Sequence, residues 1–142
     1  MATLTRQQAN SLLTNGVQLD LREAGAVRAL LEQQFDAAVR HRSAELSTLA
    51  EQLEPLLEGM DGRRKQRVSL VRALLGPQGT MSDYFATLQP APRAALEAAW
   101  GELERLVRDC KNATIRNGSL LAEQYSVMQR VLHGEEQIYA PR

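Results

Sequence analysis

Cysteine is almost absent from this chain: Cys110 stands alone among 142 residues. One cysteine closes no internal disulfide, and no cysteine–histidine spacing offers a zinc site. Lysine is nearly as scarce, with Lys65 and Lys111 the only two and arginine carrying the remaining positive charge. The formal net charge is zero, so there is no electrostatic footprint for nucleic acid or an anionic membrane. Aromatic residues make up only 4% of the chain, and with β-branched residues also sparse they cannot build a sheet. No stretch approaches ~18 consecutive apolar residues, so membrane insertion is not expected. The amino terminus lacks a basic region followed by an apolar run, which predicts no secretory signal and a cytoplasmic location. Glycine-rich phosphate loops, metal-ligand pairs at helical spacing and nucleophile elbows are missing as well. The expectation is a protein without cofactor, metal or catalytic residues, and not an enzyme.

What is present is the alphabet of helices. Ala, Leu, Glu, Gln and Arg dominate, and these are the strong helix formers. At this length the chain is one domain, residues 1–142, with a real core. The fold class expected is all-α: an elongated antiparallel bundle of three to four helices with a long C-terminal helix, because short connections favour antiparallel neighbours.

A first helix starts near Thr3 or Thr5 and carries Ala9, Leu12 and Leu13. The Asn15-Gly16 pair is a plausible stop, since both residues tolerate the left-handed conformation. Whether Gly16 separates two helices or merely weakens one stays open. A second pattern runs through Leu21, Ala24, Val27, Leu30, Leu31, Phe35 and Ala38. Ser43 is a good amino-terminal cap for the next helix, with Glu45 in its first turn. That helix reads Leu46, Ala50, Leu53, Leu57, Met60, Val71 and Leu74. Pro55 should kink it or force a local adjustment, and Glu58 to Gly62, with two glycines, is the expected break. Gly76-Pro77-Gln78-Gly79 ends the segment. Ser82 can start a short turn bearing Tyr84 and Phe85, and Pro90-Ala91-Pro92 launches the last helix.

That last helix, Pro92 to His133, is the most informative stretch. Its seam reads Leu96, Trp100, Leu103, Val107, Cys110, then Thr114, Asn117, Leu121, Gln124, Met128 and Val131, the spacing of a helix that packs on other helices. At ~1.5 Å per residue, some forty residues reach about 60 Å, which outruns any partner helix in so small a protein. Part of its apolar face is then left to meet something else. Leu120, Leu121, Tyr125, Met128, Val131 and Leu132 form the candidate surface, although spacing alone fits a packed core equally well. Gly134 is the expected helix end, leaving 135–142 as a flexible tail with Ile138 and Tyr139.

Other residues read as scaffold. Trp100 is a packing residue. Asn117 would set helix register by hydrogen bonding while Gly118 admits a neighbouring helix. Cys110 is a seam hydrophobe, and His41 and His133 sit near helix ends on the surface. The basic run Arg63, Arg64, Lys65 and Arg67 reads as solvated helix, as do the carboxylates Glu97, Glu102, Glu104 and Asp109.

The run Trp100, Asn117-Gly118-Ser119-Leu120-Leu121, Leu132 and Ile138-Tyr139 resembles the C-terminal half of FlgN-type flagellar export chaperones. That family carries a helical tryptophan, an asparagine–glycine pair followed by two large aliphatics, and a Leu/Ile-Tyr motif past the last helix. The chain departs from it at Thr114, where the family often has another asparagine, and at Ala140, where glycine is usual. The resemblance implies a chaperone for the hook–filament junction proteins FlgK and FlgL, binding their C-terminal helical segments. It implies delivery of those clients to the export-gate protein FlhA, with Ile138 and Tyr139 as the gate contact and the helix after Gly118 as the client face. From the residues themselves, Tyr139 could equally fold back as a cap over the helix end. Two other readings of the pattern are a structural homodimeric coiled coil, in which the seam pairs with a second copy, and a degenerate histidine phosphotransfer bundle.

Overall fold

A computed structural model describes the backbone of residues 4–139 and the side chains of residues 4–134. Its elements are α1 (Arg6–Val39), α2 (Ser43–Leu75), α3 (Met81–Phe85) and α4 (Pro90–Tyr139). Strand is absent among the described residues, so the chain is all-α.

Helix α1 starts where a capping box predicts. Thr5 accepts from the Gln8 amide and Gln8 accepts from the Thr5 amide, so two orphan donors of the first turn are satisfied reciprocally. The alternative start at Thr3 lies outside the described residues. Helix α1 then passes Asn15-Gly16 unbroken. Leu13 and Val17 are both buried on either side, and their packing outweighs the ~1 kcal/mol that glycine costs a helix interior. The helix ends in a Schellman motif, with the Arg42 amide donating to Ala37 and the His41 amide to Ala38. The left-handed residue is His41, at φ 55°, where glycine is the usual occupant.

Three sequence expectations for α2 and α3 are corrected. Ser43 is the first residue of α2 rather than its cap; Arg42 holds the cap position and makes no capping side-chain bond. Helix α2 is continuous through Pro55 and through Glu58 to Gly62. Pro55 is exposed, so the carbonyl it leaves without an intrahelical donor faces water. Gly59 fills a steric need: a Cβ there would sit 3.3 Å from the Arg63 guanidinium and 3.6 Å from the Glu23 carboxylate. Helix α3 starts at Met81, one residue before Ser82, and is capped by Thr80 in a second capping box with Asp83.

Consecutive long helices run antiparallel, but the closest pair is α1 with α4, and that pair is parallel. Up, down and up again leaves the first and third helices pointing the same way. Among the described residues no Cα atoms of α2 and α4 approach within 8 Å, so α1 is the shared partner and a groove remains between the outer two. The main core gathers at one end, where Leu13, Val17, Val71, Tyr84, Phe85, Leu96 and Leu103 are buried together. A smaller cluster of Val27, Leu31, Leu53 and Ala113 continues it along the bundle. Tyr84 donates its hydroxyl to Asn10, and Phe85 meets Trp100 edge-on at 6.5 Å between ring centroids. The plug formed by α3 thereby closes the α1–α4 end.

Of the seam expected for α4, the line through Leu96, Leu103, Cys110, Asn117 and Gln124 is packed and the alternate line is not. Leu96, Ala99, Leu103, Ala113 and Asn117 are buried, and Leu106, Cys110, Leu120 and Gln124 are half-buried. Val107, Thr114, Leu121 and Met128 are exposed instead. Ala113 packs in the cluster with Val27, Leu31 and Leu53, and Val107 lines the side that faces α2.

Candidate docking face

The parallel α1–α4 interface is tied by a ladder with a heptad repeat. The Cys110 thiol donates to the Ala24 carbonyl at 3.5 Å, the Asn117 amide to Leu31 at 2.8 Å, and the Gln124 amide to Ala38 at 2.9 Å. Each donor lies 86 residues beyond its acceptor. Asn117 is 1% exposed, and its second amide hydrogen reaches Gln34 at 2.8 Å. Its carbonyl accepts from Arg116, whose guanidinium stacks 4.0 Å over the Phe35 ring and pairs with Glu32 at 3.1 Å. A polar residue in a seam fixes register, because any slip buries its amide without partners. Burial also pushes the Cys110 thiol above its ordinary pKa, which keeps it a weak donor rather than a reactive thiolate. Gly118 is not the close-approach point expected of it. It is exposed, and a Cβ built there meets nothing within 4 Å.

A second polar cluster holds α1 to α2. Asp20, 1% exposed, occupies a seam position of α1 and pairs with Arg63 and with Arg67, the latter at 2.9 Å. Arg63 also pairs with Glu23. Burial opposes the Arg63 charge, but the hydrogen bonds of Asp20 and Glu23 outweigh that and raise its pKa further. Arg67 in turn lies 5.1 Å over Trp100. Half of the basic run is therefore built into the bundle rather than solvated, which corrects the sequence reading. The clue was present: Asp20 falls on the three-and-four spacing of Leu13, Val17, Ala24 and Val27, while Arg63 and Arg67 share a face one turn apart.

Beyond Gln124 the ladder has no further rung, because α1 has ended. Helix α4 continues through Gly134 to Tyr139, past the end expected at Gly134, and the fifteen residues after Gln124 extend about 22 Å. The six candidate residues fall on one side of α4, Leu120 and Leu121 level with the end of α1 and the other four on the projection. Leu120 is half-buried and Leu121 is at the edge of exposure, while Tyr125 is 68% exposed and Met128 56%. Val131 and Leu132 are each at least half exposed. They form two adjacent stripes, Leu120-Val131 in line with the α1 groove and Leu121-Tyr125-Met128-Leu132 beside it. Val127, also exposed, belongs to the first stripe and was not singled out from the sequence, though it lies seven residues after Leu120. A groove of about 430 Å³ opens where His41 of the α1–α2 turn meets Leu120, Gln124, Val127, Met128 and Val131. The side chains of Ile138 and Tyr139 lie outside the described residues.

An apolar face this broad with no covering helix is an interaction surface by its physics. Residues 10–134 match the family described as FlgN protein. The chain belongs to the FlgN family. Membership carries a flagellar export chaperone role, in a family of chaperones rather than of enzymes. No curated protein and no solved structure gives a significant match. Among the described residues no helix is long and apolar enough to cross a membrane, and no group of side chains is arranged to hold a metal ion.

Proposed function

We propose that this FlgN-family protein binds the C-terminal helical segments of the hook–filament junction proteins FlgK and FlgL in the cytoplasm and delivers them to the export-gate protein FlhA. The observation that carries the reading is the projection of α4 beyond the α1–α2 turn, with Tyr125, Met128, Val131 and Leu132 exposed on it and Leu121 exposed just before it. An amphipathic client helix laid there replaces the missing continuation of α1, the way helices fill grooves. Covering five or six half-exposed large side chains is worth on the order of 6 kcal/mol before the cost of association. That supports reversible capture, which a carrier needs. The client's own polymerising stripe is hidden in the same contact. Ile138 and Tyr139, at the far end of α4, are the residues assigned to the gate.

Replacing Leu121 and Met128 together with glutamate tests the client face. Both are exposed in the free protein, so helicity and melting should change little. On docking, two carboxylates lose water without gaining partners, and affinity for a FlgK C-terminal peptide should fall by roughly a hundredfold or more. Unchanged binding removes this face from the function. If the same substitutions convert a stable dimer to a monomer and leave peptide binding alone, the face pairs with a second copy instead.

A further inference from the structure

The side of α4 that bears Leu121 and Met128 does not end at the α1–α2 turn. Stepping back by heptads, the same line meets Thr114, Val107 and Trp100. Thr114 turns its hydroxyl onto the Cys110 carbonyl at 2.8 Å, so no unsatisfied polar group interrupts the line. Val107 is 47% exposed. This line forms one wall of the groove left between α2 and α4, where two adjoining cavities of about 250 and 350 Å³ share Arg64, Arg67, Leu103 and Val107. On the other wall, Leu57 and Val68 are exposed and lie on the same stripe of α2 as Asp61 and Arg64. Large apolar side chains are therefore left uncovered on both walls, and at the far end of the groove Trp100 lies under Arg67.

We propose that the client helix continues from the α4 projection into the α2–α4 groove and ends against the stacked Arg67–Trp100 pair, making a fourth long helix of the bundle. The inference rests on the reading of the projection as the client face. From Met128 back to Trp100 is about 42 Å of α4, which asks for some thirty residues of client helix. The occupant is specified by the rims. On α4, Glu104 and Arg108 have no ion-pair partner among the described residues, and across the groove Arg64 is held by Asp61 at 2.9 Å. Rims of mixed sign around an apolar floor suit an amphipathic helix with charges of both signs along its edges, and they repel no part of it strongly. The collinearity of Met128, Leu121, Val107 and Trp100 favours one straight segment over two separate ligands.

Trp100 is the only tryptophan in the chain, so it reports on the groove directly. The probes are two tryptophan-free peptides from the C-terminal helical segment of FlgK, one of about 18 residues and one of about 40, titrated against the full-length protein. Wild type should bind both, and only the long peptide should shift Trp100 emission to shorter wavelength. Val107→Glu should weaken the long peptide about tenfold or more and leave the short one unchanged, because only the long one buries the new carboxylate. Arg108→Glu, a surface reversal, serves as the second variant and should also weaken only the long peptide.

A long peptide that binds wild type and both variants alike, or that saturates with silent Trp100 emission, overturns the extension while leaving the projection as client face. Failure of wild type to bind either peptide overturns both readings together. If Trp100 emission shifts with protein concentration in the absence of peptide, the groove is occupied by a second copy and the proposal falls.

Discussion

Asn117 offers the sharpest test of how α1 and α4 hold their register. Asn117→Ala removes two amide hydrogen bonds of 2.8 Å, to the Leu31 carbonyl and to Gln34, in a site 1% exposed. Each is worth about 1 kcal/mol net. The Leu31 carbonyl keeps its helical donor and Gln34 is half-buried, so neither acceptor is stranded. The bond from Arg116 adds little, because that guanidinium is partly exposed and already paired with Glu32. Alanine recovers about 0.5 kcal/mol of helix propensity, and the cavity left by the amide takes it back. The net loss should be about 2 kcal/mol, or roughly 6–10 °C in melting temperature for a chain of this size.

Asn117→Leu separates hydrogen bonding from packing. Leucine loses the same bonds but restores apolar burial worth about 1.5–3 kcal/mol, so its stability should return close to wild type. Its register should be less well defined, since only the weaker Cys110 and part-buried Gln124 rungs then oppose a heptad slip. Urea unfolding followed by circular dichroism measures the stabilities. A cycle with Gln34→Ala should give a coupling of about 0.5–1 kcal/mol. Spin labels on exposed α1 and α4 positions measure the register, and broadened distances are expected only for the leucine variant. A loss below about 0.5 kcal/mol for Asn117→Ala, with no coupling to Gln34, refutes the ladder as a register device.

Asp20→Ala should cost about 3 kcal/mol in urea unfolding, because it leaves Arg63 and Arg67 largely buried without their shared carboxylate; a loss under 1 kcal/mol, by the same reasoning, would mean the cluster is solvated in solution. His41→Gly should raise stability by about 0.5–1 kcal/mol, since the left-handed φ of 55° strains a residue with a Cβ. Destabilisation there would show that the imidazole contributes more than the strain it costs. Tyr139→Ala should leave melting and FlgK peptide binding unchanged while weakening association of the loaded protein with the cytoplasmic domain of FlhA. Equal gate affinity for variant and wild type removes Tyr139 from delivery.

Much of this protein follows from its sequence alone. Scarce aromatics and β-branched residues, with an excess of helix formers, admit only an all-α chain. The unbroken spacing from Leu96 to Val131 foretells a helix too long for its partners and an apolar face without cover. Asn117 is legible as a seam polar residue because the heptad places it there whatever the partner is. Those conclusions depend on local propensity and periodicity, which every residue carries with it.

The rest depended on which surfaces meet. Gly16 left a helix end open and Glu58 to Gly62 read as a break, yet burial of Leu13, Val17, Leu49 and Leu53 carries the helices across them, because packing outweighs the ~1 kcal/mol that each glycine costs. Which of the two heptad lines of α4 is packed was settled by α1, which meets Leu96, Leu103 and Asn117 and leaves Val107 and Met128 exposed. Pairing of Asp20 with Arg63 and Arg67 spans more than forty residues, and no local pattern joins them. The parallel α1–α4 register, and with it the point where α1 stops covering α4, exists only once the chain has turned back twice. A periodic face states that a partner is needed; only the assembled helices decide where on that face the partner is missing.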